Sequence, residues 1–212
     1  YMNKNIRYIR RDRPLRHIDH MNLVVSELNS EYSVIFHDDD ILHPDYLNTM
    51  SSFFNQSDVA AFGCNAMNFY DNKLDSKNVQ NSKLRIKNLS STRRFYNEKD
   101  FLETYLPGND GNAPFPSYIY RTKLLKQAML KVPVTGKRAD VSILSSLLNY
   151  GTIVWIEKPL MYYRIHVSND SNIEEITSSI SLFNLMKKKG VRKNSTKLQL
   201  FKVMFMKNWI SQ

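Results

Sequence analysis

The chain has one cysteine, Cys64, among 212 residues, so it cannot close an internal disulfide. Cys64 ends the apolar run VAAFGC, which suits a buried, inert thiol in a reducing compartment, and a cytoplasmic location is the expectation. Long hydrophobic runs are also missing. None approaches the ~20 residues that a helix needs to cross a bilayer. No internal repeat is visible. Acidic residues stop at Glu175, while Lys187, Lys188, Lys189, Arg192, Lys193, Lys197, Lys202 and Lys207 follow.

What is present is an ordinary core composition, 42% hydrophobic in 24.9 kDa, enough for one large domain or one and a half. The net charge is +10, concentrated in that tail and in a second basic cluster over residues 4 to 16. Such patches attract nucleic acid, acidic lipid or phosphorylated substrates. Any single lysine reads equally well as solvated surface.

Apolar spacing lays out the elements. Residues 5 to 10 read as a short strand. Ile18, Met21, Val25 and Leu28 recur at helical spacing, and residues 32 to 36 form a strand. Pro44 opens a helix with Tyr46, Leu47, Met50, Phe53 and Phe54 on its apolar side, and residues 59 to 64 form another buried strand. Residues 71 to 94 are polar and aperiodic, a long excursion from the sheet. A helix is predicted over 98 to 105, then an irregular PGNDGNAPFP, a strand in SYIYR and a helix over 123 to 130. Residues 139 to 150 read as a helix capped by Gly151, and 152 to 157 as a strand that Lys158-Pro159 breaks before LMYYRIH. The last forty residues carry Leu198, Phe201, Phe205 and Trp209 at helical spacing, with Lys202 inside the stripe. Docking on the domain or on an acidic membrane surface are both open for that segment. The alternation of helix and strand predicts an α/β sheet with parallel strands.

The most informative stretch is YSVIFHDDDILHPDYL, residues 32 to 47, where a buried strand runs straight into Asp38, Asp39 and Asp40. Adjacent carboxylates repel, and a divalent cation offsets that charge. In an open α/β sheet, ligands bind beyond the carboxyl ends of the strands. Extended backbone would aim Asp38 and Asp40 at one target and turn Asp39 aside. Carboxylate oxygens suit Mg²⁺ or Mn²⁺, and such an ion commonly bridges protein to substrate phosphates. The competing reading is an acidic turn that caps the next helix.

These residues resemble the metal-binding segment of family 2 glycosyltransferases: an apolar strand, a D-x-D or D-D signature, a hydrophobic pair and Pro. Three further stretches match in the family's order. NIRYIRRDRPLRHIDHMNLVVSELNSEY, with Asn22 on its helix, resembles the segment before the signature, and FPSYIYR the strand on the acceptor side. RADVSILSSLLNYGTIVWIEKPLMYYRIHVSNDS resembles the final motif, an acid opening a helix, a glycine, a strand, then Tyr-Arg-x-His. The resemblance covers residues 3 to 172 and implies a GT-A-like (Rossmann-like) α/β fold with a mixed, mostly parallel sheet flanked by helices. Residues 1 to 172 would be a partial GT-A domain and residues 173 to 212 a basic helical segment.

The resemblance also implies roles. Asp40 would touch the metal directly, with Asp38 towards the ribose or the metal shell and Asp39 and Asn22 on the nucleotide-sugar. His37 stands where the family often has Asp, so which two of the three aspartates act is left open. His166 would lie near the metal and Arg164 near phosphate. Gly111, Asn112, Pro116 and Ser117 would shape the acceptor side, with a plain turn as the alternative. Asp140 would be the catalytic base. The residues agree with that last role: Ile143, Leu144 and Leu147 stand at i+3, i+4 and i+7 from Asp140, and an apolar wall makes a carboxylate a better base. A helix N-terminal Asp favoured by the macrodipole is the competing reading.

The implied reaction moves a hexosyl-type sugar from a nucleoside-diphosphate sugar to an acceptor hydroxyl, with a divalent metal and inversion. The implied acceptor is a glycan or lipid-linked glycan, as in bacterial surface polysaccharide synthesis. Peripheral contact with the inner face of the cell membrane through the basic C-terminal segment is held open. The family's first strand, helix and nucleotide-binding Asp have no match, and the chain starts at Tyr1, so the expectation is a transferase whose N-terminal βα units are absent. Three rivals stand beside it. A nucleotidyltransferase would use the same carboxylates, and a degenerate transferase would only bind glycans. A basic nucleic-acid-binding module lacks aromatic residues interleaved with the tail and would place an acid cluster against phosphate, so nucleic acid is not the expected partner.

Overall fold

The computed structural model of the chain describes residues 6–70, 82–132, 136–166 and 176–191. The apolar stripe from Leu198 to Trp209 and most of the polar excursion, 71–81, lie outside the described residues. In chain order the elements are α1 (His17–Glu27), β1 (Tyr32–Val34), β2 (Ile41–Leu42), α2 (Tyr46–Ser51), β3 (Val59–Tyr70), β4 (Lys83–Leu84) and β5 (Arg93–Phe95). Then follow α3 (Glu98–Glu103), β6 (Ile119–Arg121), α4 (Thr122–Met129), α5 (Ala139–Leu147), β7 (Thr152–Ile165) and α6 (Ile176–Lys188). Among the described residues, no helix is long and apolar enough to cross a membrane.

The helices form where the spacing places them. Met21 and Val25, four apart on α1, are buried. Asn97 caps α3 by accepting the Asp100 N–H at 2.9 Å. The sheet order is β1-β6-β3-β7-β2, with β4 on β3 and β5 on β7. Side chains alternate between its faces. Ala61, Tyr118, Tyr120, Ile153 and Trp155 pack with α1, α4 and α5; Phe62, Cys64, Ile119, Val154 and Ile156 pack with α2. A smaller cluster joins α3, α5 and α6 through Leu102, Val141, Leu182 and Met186.

Five expectations need correction. Residues 6–10 form no strand; Ile6 and Tyr8 are exposed, and no strand among the described residues pairs with this segment. The sheet is mixed, as the resemblance implies, but not mostly parallel: β3–β7 is the one parallel pairing among the described residues, and five others are antiparallel. The alternation does set strand direction. β1, β3 and β7 all run the same way, but β6 inserts antiparallel between β1 and β3. Pro159 does not break β7. The register against β3 jumps from Cys64–Ile156 to Asn65–Pro159, so the missing N–H falls at a bulge. There the buried Asn65 side chain accepts from the N–H groups of Ala66 at 2.8 Å and Ile86 at 3.0 Å and donates to the Ile86 carbonyl at 3.0 Å. The polar excursion also contributes β4 and the start of β5 to the sheet.

Gly151 does not cap α5, whose C-cap is Leu148. It permits the turn from α5 into β7 to press against the start of β3. A Cβ there would stand 2.8 Å from the Asp58 carbonyl oxygen and 3.1 Å from the Ala60 nitrogen, both backbone atoms. Gly151→Ala is therefore expected to destabilise the fold by about 1–3 kcal/mol, read as a melting temperature lower by several degrees in thermal denaturation.

Candidate active site

Because β1, β3 and β7 run the same way, their carboxyl ends share one edge of the sheet. The acids follow β1 there, and His166 follows β7. Two residues of β2, Ile41 and Leu42, pair with Tyr162 and Met161 of β7. That short ladder pins the preceding Asp40 against the next residues of β7, and the Arg164 backbone N–H donates to Asp40 Oδ1 at 3.0 Å. The alternation expected for Asp38 and Asp40 fails because residues 38 and 39 form a turn, not extended backbone. The turn leaves Asp38 exposed and brings His37, Asp39 and Asp40 together, with one ligand atom from each within 4.8 Å of the others.

Asp40 is the centre of the group. Its side chain is 1% exposed, and burial pushes its carboxyl up to about 7. The Arg164 N–H opposes that shift, as do the charges of Arg85 and Arg164, while the Asp39 charge adds to it. Oδ2 is buried without a hydrogen-bond partner among the described residues, and His37 Nδ1 stands 3.9 Å from it. A buried carboxylate oxygen left open beside an imidazole and a second carboxylate fits a divalent cation. The imidazole tilts the donor set towards Mn²⁺ over Mg²⁺. His166, expected beside the metal, points Nε2 at Asp39 Oδ2 at 3.2 Å and so reaches the group through Asp39.

A cation lies on the other side. Arg85 donates from Nε to the Asn112 carbonyl at 2.9 Å and from a terminal nitrogen to Asn112 Oδ1 at 3.3 Å, and its guanidinium lies 4.5 Å from the Tyr163 ring centre. Gly111 allows this approach: its φ is +113°, and a Cβ would fall 2.4 Å from the Arg85 carbonyl oxygen. Gly111 and Asn112, expected on the acceptor side, thus hold Arg85 at the acid group. Burial raises the Tyr163 hydroxyl, Arg85 lowers it, and the charges of Asp40, Asp39 and Asp140 raise it further. Asp140, in the first turn of α5, thus adds its charge to that of Asp40 at this phenol.

The other expected residues do not join the group, although Phe115, next to Pro116, has its ring centre 6.2 Å from that of His37. Pro116 and Ser117 are buried in a short 3₁₀ turn. The Ser117 hydroxyl accepts from the Cys64 N–H at 3.3 Å and its carbonyl from the Tyr46 hydroxyl at 3.1 Å, which is scaffold work. Asn22 is exposed on α1. Sequence reasoning missed Arg85 and Tyr163. Arg85 sits in an aperiodic polar stretch with no signal of its own, whereas Tyr163 was legible as the neighbour of Arg164 in YYRIH.

The raised Asp40 carboxyl has a consequence for stability. The site favours the protonated form, so the contribution of this group is whole below its ordinary 3.8, declines as pH rises and is gone above about 7. Asn keeps an acceptor for the Arg164 N–H and has no charge to bury. In metal-free buffer Asp40→Asn is expected to melt higher than the parent above pH 7 and level with it below 3.8. Thermal denaturation across that range checks it, and Mn²⁺ should narrow the gap at high pH.

More than half of the chain, residues 1–126, matches the model of Glycosyl transferase family 2. No curated protein sequence matches it. Among solved structures, S. aureus TarS 1-349 in complex with UDP-GlcNAc superposes with a TM-score of 0.54 at 12% identity, covering 87% of this chain and 50% of that one. A second structure of TarS 1-349 gives 0.50 at 14% identity, covering 84% and 46%, and a TarS structure gives 0.51 at 13%, covering 89% and 30%. At such identities the likeness speaks for the fold, and the chain spans half or less of the length of those proteins. On the family match, with the fold in agreement, the chain belongs to glycosyl transferase family 2.

Proposed function

We propose that the chain carries the chemistry of a metal-dependent, inverting glycosyltransferase that moves a sugar from a nucleoside-diphosphate sugar to an acceptor hydroxyl. The observation that carries this reading is the open, buried Oδ2 of Asp40 beside His37 and Asp39, at the carboxyl edge of the parallel strands. UDP-GlcNAc in the TarS structure supports a UDP-sugar as the donor class.

His37, Asp39 and Asp40 would hold the divalent ion. When bound, the ion supplies positive charge against the departing diphosphate. Arg85, fixed by Asn112, and Arg164 offer guanidinium groups to the phosphate oxygens. Asp38, exposed on the turn, is free to reach the ribose. Asp140 takes the proton from the acceptor hydroxyl as that oxygen attacks the anomeric carbon opposite the leaving group, so the carbon inverts. A polar cleft of about 640 Å³ bordered by Gly111, Asn109, Ser90 and Thr92 suits a glycan acceptor. A cytoplasmic setting at the inner membrane face, and a lipid-linked acceptor for surface polysaccharide, complete the proposal.

The test uses the intact protein, a panel of nucleotide-sugars and Mn²⁺, with thermal protection and turnover as separate readouts. Asp40→Ala is expected to abolish metal-dependent protection. Asp140→Ala should keep protection but lose turnover on the order of 10²- to 10⁴-fold. Equal protection and turnover in the parent and both variants would refute the reading. Arg85→Lys, which keeps charge but loses the planar fork that Asn112 orients, is expected to weaken nucleoside-diphosphate binding about tenfold by calorimetry.

A further inference from the structure

A second cleft, of about 630 Å³, opens where α3, α4, α5 and α6 meet. It is remote from the acid group along α5. Asp140 lies in the first turn of that helix, whereas Asn149 and Tyr150, just past its last turn, line the cleft. Asp140 and Leu147, the last residue of α5, are seven positions apart, ~10 Å at 1.5 Å per residue, and Asn149 lies beyond that end.

The cleft has a positive balance. Lys131, Lys188 and Lys189 line it with one carboxylate, Glu98. Glu98 is already engaged: Oε1 accepts from Asn149 Nδ2 at 2.6 Å, and Lys189 Nζ lies 2.5 Å from Oε2. Lys131 has its ammonium 5.7 Å from the Tyr150 ring centre, and neither it nor Lys188 has a carboxylate partner among the described residues. The floor carries a second, independent sign of a ligand. Ser145 is 2% exposed, and its hydroxyl has no hydrogen-bond partner among the described residues. Buried hydroxyls without partners are uncommon, because such a group forfeits its hydrogen bonds to water. Ser181 and Asn184 add polar donors at the wall.

We propose that this cleft binds a phosphate group, independently of the sugar-transfer site. Two uncompensated ammonium groups supply the charge, and the Ser145 hydroxyl supplies a donor that pure surface attraction would not require. A cation would be repelled there, and a neutral sugar would leave both lysines unused. The phosphate is free, on a soluble ester, or on an anionic lipid headgroup; the chemistry read by the cleft is the same.

The experiment uses the intact protein with two probes: inorganic phosphate, titrated against chloride at matched ionic strength, and vesicles of phosphatidylglycerol against phosphatidylcholine. Saturable phosphate binding is expected by calorimetry. Lys131→Gln with Lys188→Gln should weaken it at least tenfold without changing the melting temperature in phosphate-free buffer. Ser145→Ala separates a built site from a charged surface. Removing an unsatisfied hydroxyl should leave phosphate-free stability equal or higher, yet phosphate affinity should fall severalfold. Sedimentation with phosphatidylglycerol vesicles, competed by phosphate, would identify the lipid headgroup as the source; phosphate binding without sedimentation would identify a soluble phosphate. No saturable binding of either probe, or binding indifferent to all three substitutions, overturns the proposal.

Discussion

A carboxylate with almost no exposure is held, among the described residues, by one backbone N–H, that of Arg164, 124 residues away in sequence. Most of the site follows from that contact. It requires β2 to lie beside β7, which requires the chain to turn sharply after β1, and the turn decides which acids converge. It also requires β7 to continue past Pro159, because Arg164 and His166 come after the proline. The bulge opposite Asn65 is therefore part of the site's construction and not a flaw in the sheet. Without it β7 would end where the proline's missing N–H interrupts the ladder.

The long β3–β7 pairing does the second task. It sets the carboxyl ends of two strands side by side over residues up to Tyr70 and Ile165. β1 shares their direction although β6 separates it from β3, so its acids arrive at the same edge. α5 leads into β7 through the close turn at Gly151, and the charge of Asp140, in the first turn of α5, is felt at Tyr163 of β7. One phenol, Tyr163, registers the outcome: its hydroxyl responds to Asp39, Asp40 and Asp140 together. Charges of one sign concentrated in this way need a counterweight, and Arg85 supplies part of it from a loop pressed against Gly111. The open Asp40 Oδ2 leaves room for more.

Helix positions were legible because burial imposes a period, as with Met21 and Val25, or Ile143, Leu144 and Leu147. The acid group was legible because three carboxylates directly after an apolar strand repel one another and so stand out in the sequence. The resemblance to a family then attached roles to them, and the family match supports the resemblance. Strand pairing was less accessible. Residues 6 to 10 have the composition of a strand, but among the described residues no neighbouring strand supplies the hydrogen bonds. Arg85 carries no local pattern, since its place depends on Asn112, 27 residues later. Ser117 illustrates the converse: it sits in a recognisable motif, yet burial commits it to Cys64 and Tyr46.

The amino-acid order by itself determined which segments would be helical, which way the helix-linked strands would run, and that an acid group would follow β1. Those properties are local: they depend on spacing, on chirality and on charge density within a few residues. Only the tertiary structure decided that His37 and Asp39 join Asp40 while Asp38 stays outside, that Arg85 faces them, and that β6 divides the parallel strands. Each of those outcomes is set by contacts between segments far apart in the chain. A turn of two residues, or a strand inserted from elsewhere, redirects side chains that a period of two would have aligned.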